Sequence, residues 1–215
     1  MTMTARLIIM ADSFARSDLM RPLGPNAVPL LTSFLHDMVD LAQAIPGIRL
    51  SVGYATATPP ELDQRVALRP MAGFGTDALA SLLADALGEA SAVLIVGGDL
   101  PHLPRSRLRD ALTHLATGAA VVVGPADRTG WYLLGLATAD PVLLRAVPAR
   151  NVTPDALISA VRSRGHTVAV LPPWFGVADL ADLAALADML RELPPAYARH
   201  TRATLAAGTA RAVGG

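Results

Sequence analysis

The residues of this chain that could do chemistry gather in a few predicted loops. Asp99 follows an apolar run and two glycines, Gly97-Gly98-Asp99, and an acid at the carboxyl end of a buried strand sits where open α/β sheets place their ligands. A carboxylate there can anchor a polar group, hold a divalent ion or carry a proton; the plainer alternative is that it caps the next turn. Gly97 and Gly98 either let a ligand approach the backbone or only permit that turn. His102 titrates near neutrality and is a candidate general base, although a lone loop histidine more often has no chemical role.

Asp127 and Arg128 lie where a second loop should meet the same cleft. An arginine can bind a carboxylate or phosphate through two parallel hydrogen bonds; the alternative is an ion pair between the two neighbours. Trp131 and Tyr132 begin a strand with one side chain on each face, so one is expected in the core and at most one at a ligand. Phe14, Met20, Trp174 and Phe175 would add apolar loop surface suited to a small organic ligand. Candidate catalytic residues are therefore Asp99, Asp127 and His102. Gly97, Gly98, Arg128, Trp131, Tyr132 and Trp174 are candidates for ligand binding.

Composition removes several chemistries. Among 215 residues there is no cysteine and no lysine, and all 18 basic residues are arginine. That excludes a disulfide framework, a thiolate zinc site, a cysteine nucleophile, Schiff-base catalysis and a phosphate-loop lysine. Formal net charge is zero, and Arg105-Ser106-Arg107-Leu108-Arg109 would spread its charges around a helix. Nucleic acid is not an expected partner. His36, His114 and His166 share no metal-ligand spacing and are read as structural.

Positioning these residues requires a scaffold, and 52% hydrophobic with 17% charged residues is the make-up of a chain that folds. No stretch approaches the roughly 18 apolar residues of a spanning helix, and the apolar run after Arg6 is too short for a signal-peptide core. The expectation is a cytoplasmic protein with no membrane partner. Short apolar runs predict strands at Leu7–Met10, Ile48–Tyr54, Ala92–Val96, Ala120–Val123, Trp131–Leu136 and His166–Leu171. Helical spacing predicts helices from Pro25 to about Pro46, from a Thr76 cap to Gly88, from Pro104 to Thr117, from Thr153 onward, and from Asp179 to Leu190. The alternation implies a mainly parallel sheet flanked by helices, with the loops after Met10, Val96, Val123 and Leu171 converging. Residues 1–192 should form one α/β domain. Residues 193–215 are read as a tail: a swapped arm of a homo-oligomer, a short extra helix or a disordered end.

Two segments carry a family resemblance. Ile95-Val96-Gly97-Gly98-Asp99-Leu100-Pro101 resembles the strand-then-Asp loop of the GT-A nucleotidyl- and glycosyltransferases, in which the Asp coordinates a divalent ion. Gly124-Pro125-Ala126-Asp127-Arg128-Thr129-Gly130-Trp131-Tyr132-Leu133-Leu134-Gly135-Leu136 is similar to a block of an uncharacterised bacterial, glycosyltransferase-like branch of that superfamily. Arg21-Pro22-Leu23-Gly24-Pro25, Leu171-Pro172-Pro173-Trp174-Phe175 and Asp182-Leu183 extend the likeness over most of residues 5–190. The resemblance implies a three-layer Rossmann-like (GT-A) fold and Mg²⁺-assisted transfer from a nucleotide-sugar.

This sequence departs from that pattern at the chemistry. Asp12 to Met20 stand in place of a glycine-rich, lysine-bearing phosphate loop, where Asp12 and Asp18 would repel phosphates and Arg16 or Arg21 would substitute in part. Gly176-Val177-Ala178 align with the family's second pair of metal carboxylates. Only Asp99 keeps a metal-ligand position, and one carboxylate holds Mg²⁺ weakly unless substrate phosphates complete its shell. The expectation is a transferase-like protein with a degenerate metal and nucleotide site. The alternatives are a metal-independent enzyme doing acid-base chemistry on a small organic molecule of a biosynthetic pathway, or a binding protein without catalysis.

Overall fold

The computed structural model describes residues 3–11, 18–127, 130–146 and 152–213, with side chains to 207. The chain forms β1 (Ala5–Met10), a short α1 (Met20–Leu23), a 3-10 turn (Gly24–Asn26), α2 (Ala27–Gln43), β2 (Ile48–Tyr54), β3 (Ala67–Pro70), α3 (Thr76–Glu89) and β4 (Ala92–Gly97). There follow α4 (Arg105–Ala116), β5 (Val121–Pro125), β6 (Trp131–Leu136), α5 (Pro141–Ala146), α6 (Pro154–Ser163), β7 (Val168–Val170), α7 (Leu180–Glu192) and α8 (Arg199–Val213).

The strands form one sheet in the order β3-β2-β1-β4-β6-β5-β7. Its pairings are parallel except those that β6 makes with β4 and β5. The exception is forced, because residues 126–130 are too few for the crossover a parallel partner needs. β6 therefore starts at the edge where β4 and β5 end, with Trp131 opposite Pro125 and Leu133 opposite Val96.

Every residue of β1, β4 and β6 is buried, as expected for strands covered on both faces. Leu7, Ile9, Leu94 and Val96 pack with α2 and α4, whereas Ile8, Ile95 and Leu134 pack with α3, α5 and α6. Burying each such side chain contributes about 1.5–3 kcal/mol. A third cluster joins Leu31 and Phe34 of α2 to Leu186 and Leu190 of α7. Among the described residues no helix is long and apolar enough to cross a membrane.

Local expectations shift in several places. The N-cap of α3 is Gly75 rather than Thr76, and Gly88 lies inside the helix rather than ending it. Pro25 falls in the 3-10 turn, so α2 starts at Ala27. β3 and α5 are additional elements, and β7 covers only half of the expected strand. Residues 199–213 are helical, and α8 docks on α2 through the buried Asp37 carboxylate. That group accepts hydrogen bonds from Thr201 N at 2.9 Å, Thr201 Oγ1 at 2.6 Å and His200 N at 3.0 Å.

Candidate functional site

Three loops at the carboxyl edge of the sheet are tied together by their backbones. Val177 N donates to Asp99 O at 2.9 Å, Asp127 N to Trp174 O at 3.1 Å, and Trp174 N to Pro125 O at 3.1 Å. The loops after β4, β5 and β7 thus form one rim. Inside it lies a cleft of about 600 Å³ lined by Asp99, Asp127, Trp131, Tyr132, Phe175 and Asp182, among others. The loop after Met10, including Asp12, Phe14 and Arg16, lies outside the described residues, as does Arg128.

Asp99 is half-buried on the cleft wall, and its carboxylate lies against Gly176. A Cβ at position 176 would stand 2.5 Å from Asp99 Oδ2, so only glycine leaves room for the acid as placed. Asp127 is exposed at the rim. Trp131 and Tyr132 alternate between the two core clusters as the strand period requires, yet both contribute to the cleft lining. Both stand at the very start of β6, next to the carboxyl edge of the sheet. Tyr132 Oη donates to Pro172 O at 3.3 Å, and burial pushes its hydroxyl pKa up to about 12. The ring crosses Gly124, where a Cβ would be 2.6 Å from Tyr132 Cζ.

The other candidates sit elsewhere. His102 is buried beneath the rim, with its ring centroid 4.2 Å from Phe175 and 5.4 Å from Trp174. Neither of its ring nitrogens has a hydrogen-bond partner, and burial pushes its pKa down to about 4. It is therefore neutral near pH 7 and walled off from the cleft by Phe175. Trp174 packs on His102, with the Arg107 guanidinium 5.7 Å above its ring, and its indole nitrogen is likewise without a partner. Gly98 belongs to the strand junction. Its N–H donates to Met10 O at 2.8 Å, and a Cβ there would press on that same oxygen. Gly97 closes β4, and Arg21 is exposed on α1; neither lines the cleft.

Sequence reasoning missed Gly176 and Asp182 as cleft residues. Asp182 is buried, and its Oδ2 accepts from Ala178 N at 3.0 Å and Asp179 N at 3.4 Å, while Asp179 Oδ1 accepts from Asp182 N at 2.9 Å. This reciprocal capping box starts α7 and fixes the direction in which the loop after β7 leaves the cleft. Asp182 Oδ2 is thus committed to backbone donors. Among the described residues, the side chains close enough together to hold an ion as a trio are Asp37, Asp40 and His200, at the α2–α8 contact and not in the cleft. Among the described residues, the cleft acids Asp99, Asp127 and Asp182 do not form such a trio.

A mainly parallel seven-stranded sheet with one reversed strand, and a cleft where its central loops meet, define a GT-A-type α/β transferase fold. Residues 53–150 match the model of a family described as an uncharacterized protein conserved in bacteria, DUF2064. No curated protein sequence matches the chain. Among solved structures, one similar protein is from Desulfovibrio desulfuricans and is provisionally described as a nucleotide-diphospho-sugar transferase. It superposes with a TM-score of 0.79 at 18% identity, over 97% of this chain and 96% of that one. Rv0371c of Mycobacterium tuberculosis, in complex with manganese, matches with a TM-score of 0.54 at 15% identity, over 87% of this chain and 99% of that one. A 4-diphosphocytidyl-2C-methyl-D-erythritol synthase from Anaerococcus prevotii matches with a TM-score of 0.61 at 13% identity, over 87% and 96%. The resemblance to GT-A nucleotidyl- and glycosyltransferases read from the sequence therefore holds at the level of fold.

Proposed function

We propose that this protein has kept the ligand cleft of a GT-A transferase but not the means to grip a metal–phosphate complex, and that it binds a small organic molecule anchored by Asp99. The observation that carries this reading is the placement of Asp99. Its carboxylate is lodged against Gly176 on the wall of a roomy, aromatic-lined cavity, while the buried acid there, Asp182, is engaged in capping a helix. Manganese accompanies the mycobacterial structure, whereas here the family's second pair of metal carboxylates is replaced by Gly176-Val177-Ala178, which leaves Asp99 as the carboxylate in a metal-ligand position. Divalent ions held by so few protein ligands depend on substrate phosphates to complete the shell. Aromatic walls with a few polar groups are the usual make-up of a site for a small organic ligand.

Catalysis without a metal is the second reading, supported by two aspartates on one cavity, one half-buried and one exposed. Asp99 and Asp127 would then serve as proton carriers of different environment. His102 does not join them, because its ring is sealed under Phe175 and resists protonation.

Comparing small-molecule extracts of producing cells carrying wild-type or Asp99→Asn protein tests the proposal. A metabolite that co-purifies with the wild type and is absent from an equally folded variant supports Asp99 as the anchor. A reaction product lost as well favours the catalytic reading. Equal recovery of the metabolite from both proteins refutes the assignment of Asp99.

A further inference from the structure

A second cavity, of about 380 Å³, opens between α3 and the β1–β2–β3 part of the sheet and shares no lining residue with the cleft. Strand register explains why cations gather there. Arg6 pairs with Arg49, Ile8 with Ser51, and Gly53 with Arg69. Residues two apart on a strand share a face, so all three arginines and Ser51 fall on the face under α3. Against them α3 sets Glu89, which is hydrogen-bonded by Arg6 and lies 3.6 Å from Arg69, and Asp85, which lines the cavity. The Glu89 carboxyl is held below the usual range first by the Arg6 hydrogen bond, then by the charge of Arg6 and, more weakly, of Arg69 and Arg49. The cavity wall itself carries Arg6 and Arg69 against Asp85, with Glu89 and Arg49 just outside the lining, so the whole group of three guanidinium groups and two carboxylates has one positive charge in excess.

Two features make this a built site. Ser51 is only 2% exposed and lines the cavity, so its short polar side chain borders that space. Arg6, itself buried, gives Glu89 a single N–H. A guanidinium carries five donors, and the remainder of the fork is left for a second acceptor. The rest of the wall is apolar, with Ile8, Met71 and Leu82.

We propose that this cavity is a second ligand site, taking the carboxylate of a small organic acid whose apolar body lies against Ile8, Met71 and Leu82. Arg69 and the spare donors of Arg6 hold the carboxylate oxygens, and Ser51 donates its hydroxyl. A single net positive charge matches a carboxylate better than a doubly charged phosphate.

The test uses the full chain and benzoate as probe, followed by amide chemical shifts in a ¹H–¹⁵N titration. Wild type should show saturable shifts at Ser51, Arg69 and Ser81. Arg69→Gln and Ser51→Ala, each with an otherwise unchanged spectrum, should weaken binding by about tenfold or more, the usual effect of losing a hydrogen bond to a charged group. Asp99→Asn should bind benzoate as wild type does, which separates this site from the cleft. The proposal is overturned by no saturable shift at these residues, by unchanged affinity in both cavity variants, or by loss of binding in Asp99→Asn. Inorganic phosphate displacing benzoate at equal concentration overturns it too, since the cavity would then be a general anion site.

Discussion

Replacing His102 with leucine should abolish a specific part of the protein's acid sensitivity. In the unfolded chain this imidazole titrates near 6.5, whereas in the folded protein burial lowers its pKa to about 4. Between those values the unfolded state binds the proton and the folded state refuses it, so the proton stabilises the unfolded chain and stability falls as the pH falls. Each pH unit across the window is worth about 1.4 kcal/mol, for a total of about 3 kcal/mol once the pH is below the folded value. At about pH 5 the accumulated loss relative to pH 8 is about 2 kcal/mol, or roughly 4–8 °C in Tm for a chain of this size. Leucine has no proton to take up, and it also removes the two ring nitrogens that lack partners. Urea denaturation of both proteins across this range gives the comparison. The wild-type free energy should drop relative to the variant as the pH is lowered below about 6.5, with the two curves parallel above it. Parallel curves throughout would mean that His102 titrates alike in both states, and the argument from burial would fail.

Three further outcomes follow from the same geometry. Gly176→Ala should displace the Asp99 carboxylate it would otherwise touch; because that group ends a half-buried side chain that can swing aside, thermal denaturation should show a loss of about 1 kcal/mol or less, while ligand recovery should fall. Asp37→Ala removes the acceptor for three hydrogen bonds from the start of α8, which should cost about 2–3 kcal/mol and raise hydrogen exchange across α8 more than elsewhere. The Asp140 carboxyl is held well below its usual range, first by hydrogen bonds from Arg164 and then from His166. Its contribution is therefore present above the ordinary aspartate value and lost as the pH falls below it, and Asp140→Asn should flatten the acid limb of the stability profile there.

The parts of the fold legible in the sequence were those with an unambiguous hydrophobic period. Ile48–Tyr54 alternates and Ala92–Val96 is apolar throughout, and both are strands, because a two-residue period or continuous burial has few other solutions. Ala67-Leu68-Arg69-Pro70 carries neither signal. It becomes β3 only because β2 offers it an open edge, which no local pattern announces. The α5 helix is too short to show a period, and α8 is held partly by polar contacts to Asp37 rather than by a strong apolar stripe.

At the site, topology alone brought the loops after β4, β5 and β7 together. It could not show that Gly176, in a stretch that reads as an empty position, has to be small for Asp99 to fit. Nor could it show that Asp182 faces the cleft, because an acid three residues into a helix after another acid reads as a cap, and it is one. His102 illustrates the reverse error. Proximity to Asp99 in sequence suggested a base, but the turn at Leu100–Leu103 directs the ring inward under Phe175.

Calorimetric titration of the full chain with Mg²⁺ or Mn²⁺ together with nucleoside triphosphates and nucleotide-sugars tests the reading of the cleft most directly. The arrangement of Asp99 and Asp182 predicts no saturable heat at millimolar nucleotide, with or without the ion. Tight nucleotide binding that requires the ion and disappears in Asp99→Asn would contradict it.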